Sequence, residues 1–236
     1  MTEVFRARAV LTDIEGTTGS IAFVKDVLFP YADSHLDDYV ARNAGDRAVA
    51  EVLRDAALEA RIDPNERDAV LAQLHEWIAR DAKISPLKTL EGFIWADGYR
   101  GGELRGHIYD DAAQALRAWH ARGLALYAYS SGSIAAQELI FAYSVAGDLR
   151  ALFSGFFDTT SGSKREPASY AGIARAIDLA PAEVLFLSDS AAELDAAQGA
   201  GMQAVQLARP EDGTHPSPTH RSVTSFAQLL LADPAH

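Results

Sequence analysis

A chain of 236 residues, 48% of them hydrophobic and 23% charged, fits one large domain or a core with a smaller partner. The absence of cysteine excludes disulfides, thiolate catalysis and cysteine-held metals, and is compatible with a reducing cytoplasm. A formal charge of -12 argues against general nucleic-acid binding, because the mean field repels phosphate, so an anionic substrate needs a local cation or a well-placed lysine.

No apolar run approaches the roughly 20 residues that span a bilayer, and MTEVFRARAV does not read as a signal peptide. No membrane partner is expected. Ala7 to Thr12 predicts a short buried strand that stops at Asp13. From about Ser20 to Arg80 the spacing is helical, as in Val24, Val27, Leu28 and Tyr31, or Val70, Leu71, Leu74 and Ile78. The glycines and aromatics of EGFIWADGYRGGELRGHIYDD predict an irregular connection.

Helix and strand then alternate. Ala113, Leu116 and Trp119 mark a helix ended near Gly123, and Leu124 to Tyr129 a strand. Ile134 to Ser144 reads as a helix and Phe153 to Asp158 as a weaker strand. Pro167 suits the first turn of a helix carrying Tyr170, Ile173 and Ile177. Val184 to Leu187 is a strand, Ala191 to Ala200 a helix and Ala204 to Leu207 a last strand. Arg209 to Ser222 predicts a surface excursion, and Ser225 to Leu231 a closing helix. Trp77 and Trp119 read as core. Apolar strands alternating with helices predict an α/β fold, a doubly wound parallel sheet covered on both faces. The early helical block is then an insertion after the first strand. It divides the chain into a core over residues 1–19 and 106–236 and a mainly helical unit over 20–105.

In such sheets ligands bind beyond the carboxyl ends of the strands. Those ends carry Asp13 and Glu15, Ser130-Ser131-Gly132-Ser133, Ser163-Lys164 and Ser188-Asp189-Ser190. Phosphoryl transfer needs these types. A carboxylate such as Asp13 can attack phosphorus, and a second acid, Glu15, can protonate the leaving oxygen and then deprotonate water. Gly16 permits the turn that lets both face one site. Asp13 and Asp189 can hold Mg²⁺ through oxygen. Ser130, with the amides of Ser131 and Gly132 at a helix N-terminus, can bind phosphate, and Lys164 adds a positive charge.

Each residue has a plainer reading. Asp13 can be a turn or capping residue, Ser133 an N-cap, and Lys164 a solvated surface residue. Ser190 and Glu193 have the spacing of a capping box, so Glu193 is either a cap or outer support for a metal. His35, His75 and His120 suit helix surfaces, His107 the irregular connection, and Trp95 either core or a pocket wall. The joint appearance of the set, in order at successive strand ends, favours the chemical reading.

These loops resemble the haloacid dehalogenase superfamily of Mg²⁺-dependent phosphotransferases, with Glu15 in place of the second aspartate of the first motif. DIEGTT, FVKDVLFPYA, GFIWADGY, YSSGS and FLSD look like the enolase-phosphatase family of methionine salvage. The resemblance implies a helical cap and a monomer. It also implies enolisation and then dephosphorylation of 2,3-diketo-5-methylthiopentyl-1-phosphate to 1,2-dihydroxy-3-keto-5-methylthiopentene, a small-molecule reaction. In that scheme Asp13 is nucleophile and metal ligand, Glu15 is acid/base with its backbone carbonyl also on the metal, and Asp189 is a further ligand. Ser130, Ser131, Gly132 and Lys164 hold phosphate. Glu15, Lys164 and a cap residue all remain open for the enolisation proton. The rivals are another phosphoester without enolisation, carbon–halogen hydrolysis, and a silent binding module.

Overall fold

Six strands form one wholly parallel sheet in a computed structural model that describes residues 4–232. Residues 1–3, part of the stretch read for a leader, and 233–236 lie outside the described residues. In chain order the strands are β1 Val4–Phe5, β2 Ala9–Thr12, β3 Ala125–Tyr129, β4 Gly155–Phe157, β5 Val184–Ser188, β6 Gln203–Leu207, β7 Ser222–Val223 and β8 Leu230–Leu231. The large sheet has the order β4-β3-β2-β5-β6-β7, and β1 pairs with β8 in a small parallel sheet of its own.

The strand order reverses at β2: later strands add first on one side of it and then on the other. The register places Thr12 level with Ala128 and with Leu187, so the chain leaves three adjacent strands at one edge. That is the switch-point geometry at which open α/β sheets bind ligands. Every residue of β2 and β5 is buried, as expected where helices cover both faces. Leu11, Tyr129, Tyr170, Phe186 and Leu194 form the core on one face.

The chain divides into two compact units, 1–22 with 105–236, and 23–104. The first holds the sheet and the helices Asp110–Ala121, Ile134–Ala142, Pro167–Ala176 and Ala191–Gly199. The second is helical: a π-helical turn Val24–Leu28, then Phe29–Arg42, Arg47–Ala60, Arg67–Ala79 and Ser85–Gly101 around Leu36, Leu74, Trp77, Leu90 and Ile94. Among the described residues no helix is long and apolar enough to cross a membrane.

Three local expectations are corrected. All of GFIWADGY, read as part of an irregular connection, lies in the helix Ser85–Gly101. Gly98 does not break this helix; a Cβ there would stand 2.6 Å from the Tyr31 ring, so the missing side chain makes room for packing. The expected closing helix over Ser225 to Leu231 is a single 3₁₀ turn, Phe226–Gln228, followed by β8. Its end is drawn into strand pairing with β1. The excursion after β6 is not wholly superficial, since Arg209 and His220 are buried and Ser222–Val223 adds an edge strand.

Glu91 is buried in the helical unit, and loss of hydration raises its carboxyl to about 7 against the pull of Lys83. A raised acid pKa stabilises the folded chain below about 4.5, and that stability is lost as pH rises through about 7. Between those limits wild type should lose up to about 3 kcal/mol more than Glu91→Gln, read by urea unfolding at stepped pH. Parallel curves for the two proteins would remove Glu91 as the cause.

Candidate active site

The loop after β2 is closed by its own backbone and threonines. Asp13 N–H donates to Leu187 O at 2.8 Å, and Gly19 N–H donates to Ile14 O at 2.8 Å. The Thr12 and Thr18 hydroxyls both donate to the Asp13 carbonyl, at 2.9 and 3.2 Å. Gly16 adopts φ +72°, and a Cβ there would stand 2.7 Å from Asp189 Oδ2. Both the turn and the approach of Asp189 therefore require glycine. Thr17 Oγ1 accepts the Asp189 N–H at 3.0 Å, which ties the loop after β2 to the loop after β5.

Lys164 reaches the same place from the loop after β4. Its Nζ lies 2.6 Å from Asp13 Oδ1 and 2.8 Å from Glu193 Oε2. The Lys164 side chain is 10% exposed and that of Asp13 7%. Burial alone would lower the lysine pKa, but Asp13 and Glu193 hold it above the ordinary range. Two buried tyrosines fix the loop: Tyr129 Oη donates to Gly162 O at 3.0 Å, and Tyr170 Oη donates to Lys164 O at 2.8 Å. Lys164 is thus not a solvated surface residue, and sequence reasoning passed over the tyrosines that hold it.

Glu193 accepts the Ser188 hydroxyl at 2.9 Å as well as the lysine. The Ser190 side chain makes no capping hydrogen bond, so the capping box is not formed. Burial and the nearby Asp13 raise the Glu193 carboxyl, with Lys164 opposing. Asp189 is raised to about 7, chiefly by burial and then by the Asp13 charge, with a smaller push from Glu15. Asp13, Asp189, Lys164 and Glu193 therefore share one electrostatic site, with half-buried Glu15 at its margin.

Ser130 and Gly132 point partly toward each other. The Gly132 N–H donates to Ser130 Oγ at 3.0 Å, and Ser130 is buried. Ser131 lines a cavity of about 400 Å³ with Lys164, Thr159, Gly162, Ser163 and Glu193; Ser130 and Gly132 are not among its lining residues. Ser133 caps the following helix, accepting the Ala136 N–H at 3.3 Å. Gln137 was missed. Its amide donates to Gly132 O and Phe157 O at 2.9 and 2.8 Å, joining the loops after β3 and β4. A buried glutamine inside the apolar helix IAAQELIFA was the available signal. His107 Nδ1 accepts the Ser20 N–H at 3.1 Å. Trp95 donates its indole N–H to Leu28 O at 2.8 Å inside the helical unit.

Asp13 and Asp189 are hard oxygen donors that repel one another, and burial together with the Asp13 charge raises the Asp189 carboxyl. Such a pair fits a hard divalent cation. Among the described residues no three Asp, Glu, His or Cys side chains are gathered to hold a metal. Other oxygens would therefore complete the shell, and Glu15 could contribute its backbone carbonyl.

The model of the haloacid dehalogenase-like hydrolases matches residues 7–201. The enolase-phosphatase E1 of Pseudomonas aeruginosa (strain LESB58) is 57% identical over 224 residues, covering 95% of this chain and 98% of that protein. The enolase-phosphatase E1 of Methylococcus capsulatus is 52% identical over 202 residues, covering 86% of this chain and 89% of that protein. The crystal structure of the UTR4 protein of Saccharomyces cerevisiae superposes with a TM-score of 0.82 at 36% identity, covering 94% of this chain and all of that one. The chain belongs to the haloacid dehalogenase-like hydrolases and, among them, to the enolase-phosphatase E1 family.

Removing Lys164 leaves buried carboxylates facing one another. Lys164→Met should lower stability at pH 8 by about 3–5 kcal/mol, and acidification toward pH 5 should restore part of it as the carboxyls protonate. Thermal or chemical unfolding at both pH values reads this; an unchanged midpoint at pH 8 would show that the lysine is not compensating the cluster.

Proposed function

We propose that the chain is a bifunctional enolase-phosphatase that enolises 2,3-diketo-5-methylthiopentyl-1-phosphate and then releases phosphate, giving 1,2-dihydroxy-3-keto-5-methylthiopentene in methionine salvage. Membership of the enolase-phosphatase E1 family supports the assignment. The observation that carries the chemistry is the buried Asp13–Lys164 contact of 2.6 Å beyond the central strands.

Asp13 is the nucleophile in this reading. Its carboxylate oxygen bonds to phosphorus as the ester P–O bond breaks, and Glu15 protonates the departing oxygen. Glu15 then takes a proton from water, whose oxygen attacks the aspartyl phosphate and frees phosphate and Asp13. Lys164 holds the Asp13 carboxylate in place and balances charge on the phosphoryl oxygens. Ser131 lines the cavity in which phosphate would lie, and Ser130 and Gly132 shape the loop that presents it. Asp13, Asp189 and the Glu15 carbonyl would hold Mg²⁺, which when bound supplies positive charge to the phosphate and lowers its repulsion of Asp13. Glu193 supports Lys164 from behind. The helical unit has the part of a cap. A cysteine-free chain suits the cytoplasm, and the family resemblance supports a monomer.

The synthetic diketone phosphate, followed with Mg²⁺ for enol absorbance and inorganic phosphate together, tests the assignment. Enol should form before phosphate appears, and Asp13→Asn should lose phosphate release by at least about 10³-fold. Phosphate release from other esters with no turnover of this compound would replace the assignment with a phosphatase of another substrate.

Cation binding has a readout independent of turnover. Mg²⁺ should raise the thermal midpoint of wild type through preferential binding to the folded chain, and Asp189→Asn should abolish most of that rise. Equal shifts in the two proteins would move the cation away from Asp189.

A further inference from the structure

Arg209 lies immediately beyond β6, in the segment whose sequence suggests a surface excursion, yet it is only 3% exposed. Its guanidinium stacks on Tyr109, with Cζ 4.1 Å from the ring centroid, and stands 5.5 Å from the Phe226 ring. Nη1 donates to Asp111 Oδ2 at 3.0 Å and to Thr224 O at 3.4 Å. The remaining donors converge. Nε at 3.2 Å and Nη2 at 3.0 Å both donate to the carbonyl of Thr17.

Thr17 is not an arbitrary anchor. It lies two residues beyond Glu15 and four beyond Asp13, and its Oγ1 accepts the Asp189 N–H at 3.0 Å. The same residue is gripped by Arg209 through its carbonyl and by the loop after β5 through its side chain. A guanidinium serving only to join layers of the core would be satisfied by Asp111, whose Oδ2 also accepts the Ser225 hydroxyl and the Phe226 N–H. Two donors of a planar fork on one carbonyl fix that peptide in direction as well as in place, which a lysine ammonium cannot reproduce.

We propose that Arg209 is a positioning residue for the reaction: by clamping the Thr17 carbonyl it sets the loop carrying Asp13 and Glu15 against the loop carrying Asp189. It touches no reacting atom. The inference rests on the functional reading above. It assigns a role to a residue outside the four strand-end motifs.

The test compares wild type with Arg209→Lys, Thr17→Val, their double variant and Asp111→Asn. Each is assayed on the diketone phosphate and on p-nitrophenyl phosphate with Mg²⁺, and each is melted. Arg209→Lys keeps the charge beside Asp111 and loses the fork. Its kcat should fall about 10- to 100-fold with KM nearly unchanged, the range that small displacements of reacting groups produce. Thr17→Val leaves the clamped carbonyl in place and removes the Oγ1 that accepts the Asp189 N–H, the next link from the clamp to the loop after β5; it should lower kcat in the same way, with the double variant little worse than either. Asp111→Asn should lower the melting midpoint and keep most of kcat. An Arg209→Lys enzyme with wild-type kcat overturns the inference. So do losses that multiply in the double variant, or an Asp111→Asn loss of kcat that matches that of Arg209→Lys. If Arg209→Lys fails to fold, Thr17→Val decides: wild-type kcat there shows that the loop after β2 is not set against Asp189 through Thr17, and overturns the inference. A wild type inactive on both esters overturns the functional reading and the clamp with it, whereas an active wild type with an unaffected Arg209→Lys overturns the clamp alone.

Discussion

Lys164 Nζ stands between Asp13 and Glu193, at 2.6 and 2.8 Å, in a place where water screens little of its charge. Burying an ammonium is costly, and so is burying either carboxylate; together they are tolerated because each satisfies the others. That mutual dependence constrains the rest of the unit. Lys164 comes from the loop after β4, Asp13 from the loop after β2, and Glu193 from the first turn of the helix after β5. Three separate segments must therefore arrive within hydrogen-bond distance of one atom.

The devices that bring them there are backbone devices. Parallel register levels the ends of β2, β3 and β5. Gly16 provides a left-handed turn and leaves room for Asp189. Tyr129 and Tyr170 hold the Lys164 loop by its carbonyls, and Gln137 joins the neighbouring loops in the same manner. Gln206 does likewise for the Asp189 carbonyl, donating to it at 2.9 Å. These groups bind main chain rather than one another, so each fixes a loop path and leaves the acidic side chains to the site. Groups held in this manner need little rearrangement as charge develops, the condition under which fixed charges act most strongly.

How far this was legible in the sequence follows from what each residue answers to. Strands buried on both faces must be apolar throughout, so AVLT, ALYAY and VLFLS could be read directly, and the loops after them located Asp13, Glu15, Ser130 and Asp189. The helix Ser85–Gly101 was not legible, because three glycines and a run of aromatics carry turn chemistry in isolation. Packing favours the helix: Leu87, Leu90 and Ile94 are buried in the core of the helical unit and the Tyr31 ring fills the space beside Gly98, contacts that local pattern does not encode. The short β1–β8 pair was hidden for a similar reason, since two residues joined across most of the chain leave no periodicity. Glu193 illustrates a competition. Its spacing from Ser190 matches a cap, but Lys164 and Ser188 offer stronger partners once the chain is folded. Arg209 was hidden by the proline- and histidine-rich composition around it, because burial of an arginine depends on partners far along the chain.

The charge balance of the site bears on the proposed reaction itself. Asp13, Glu15, Asp189 and Glu193 bring four carboxylates into one electrostatic neighbourhood, against the single ammonium of Lys164. Burial first, and then the Asp13 charge, push the Asp189 carboxyl up to about 7. A phosphate monoester brings further negative charge of roughly one and a half to two units near neutral pH. Lys164 carries one positive charge, already shared between Asp13 and Glu193, and cannot by itself neutralise that phosphate as well. A site with this balance works on a phosphoester only if positive charge accompanies the substrate, and Asp13 with Asp189 is the place where hard oxygen donors and unmet negative charge coincide. In the proposed reaction a divalent cation would answer the same burial that brings Asp13 and Lys164 together: excluding water strengthens their attraction and leaves the remaining carboxylates in need of a partner.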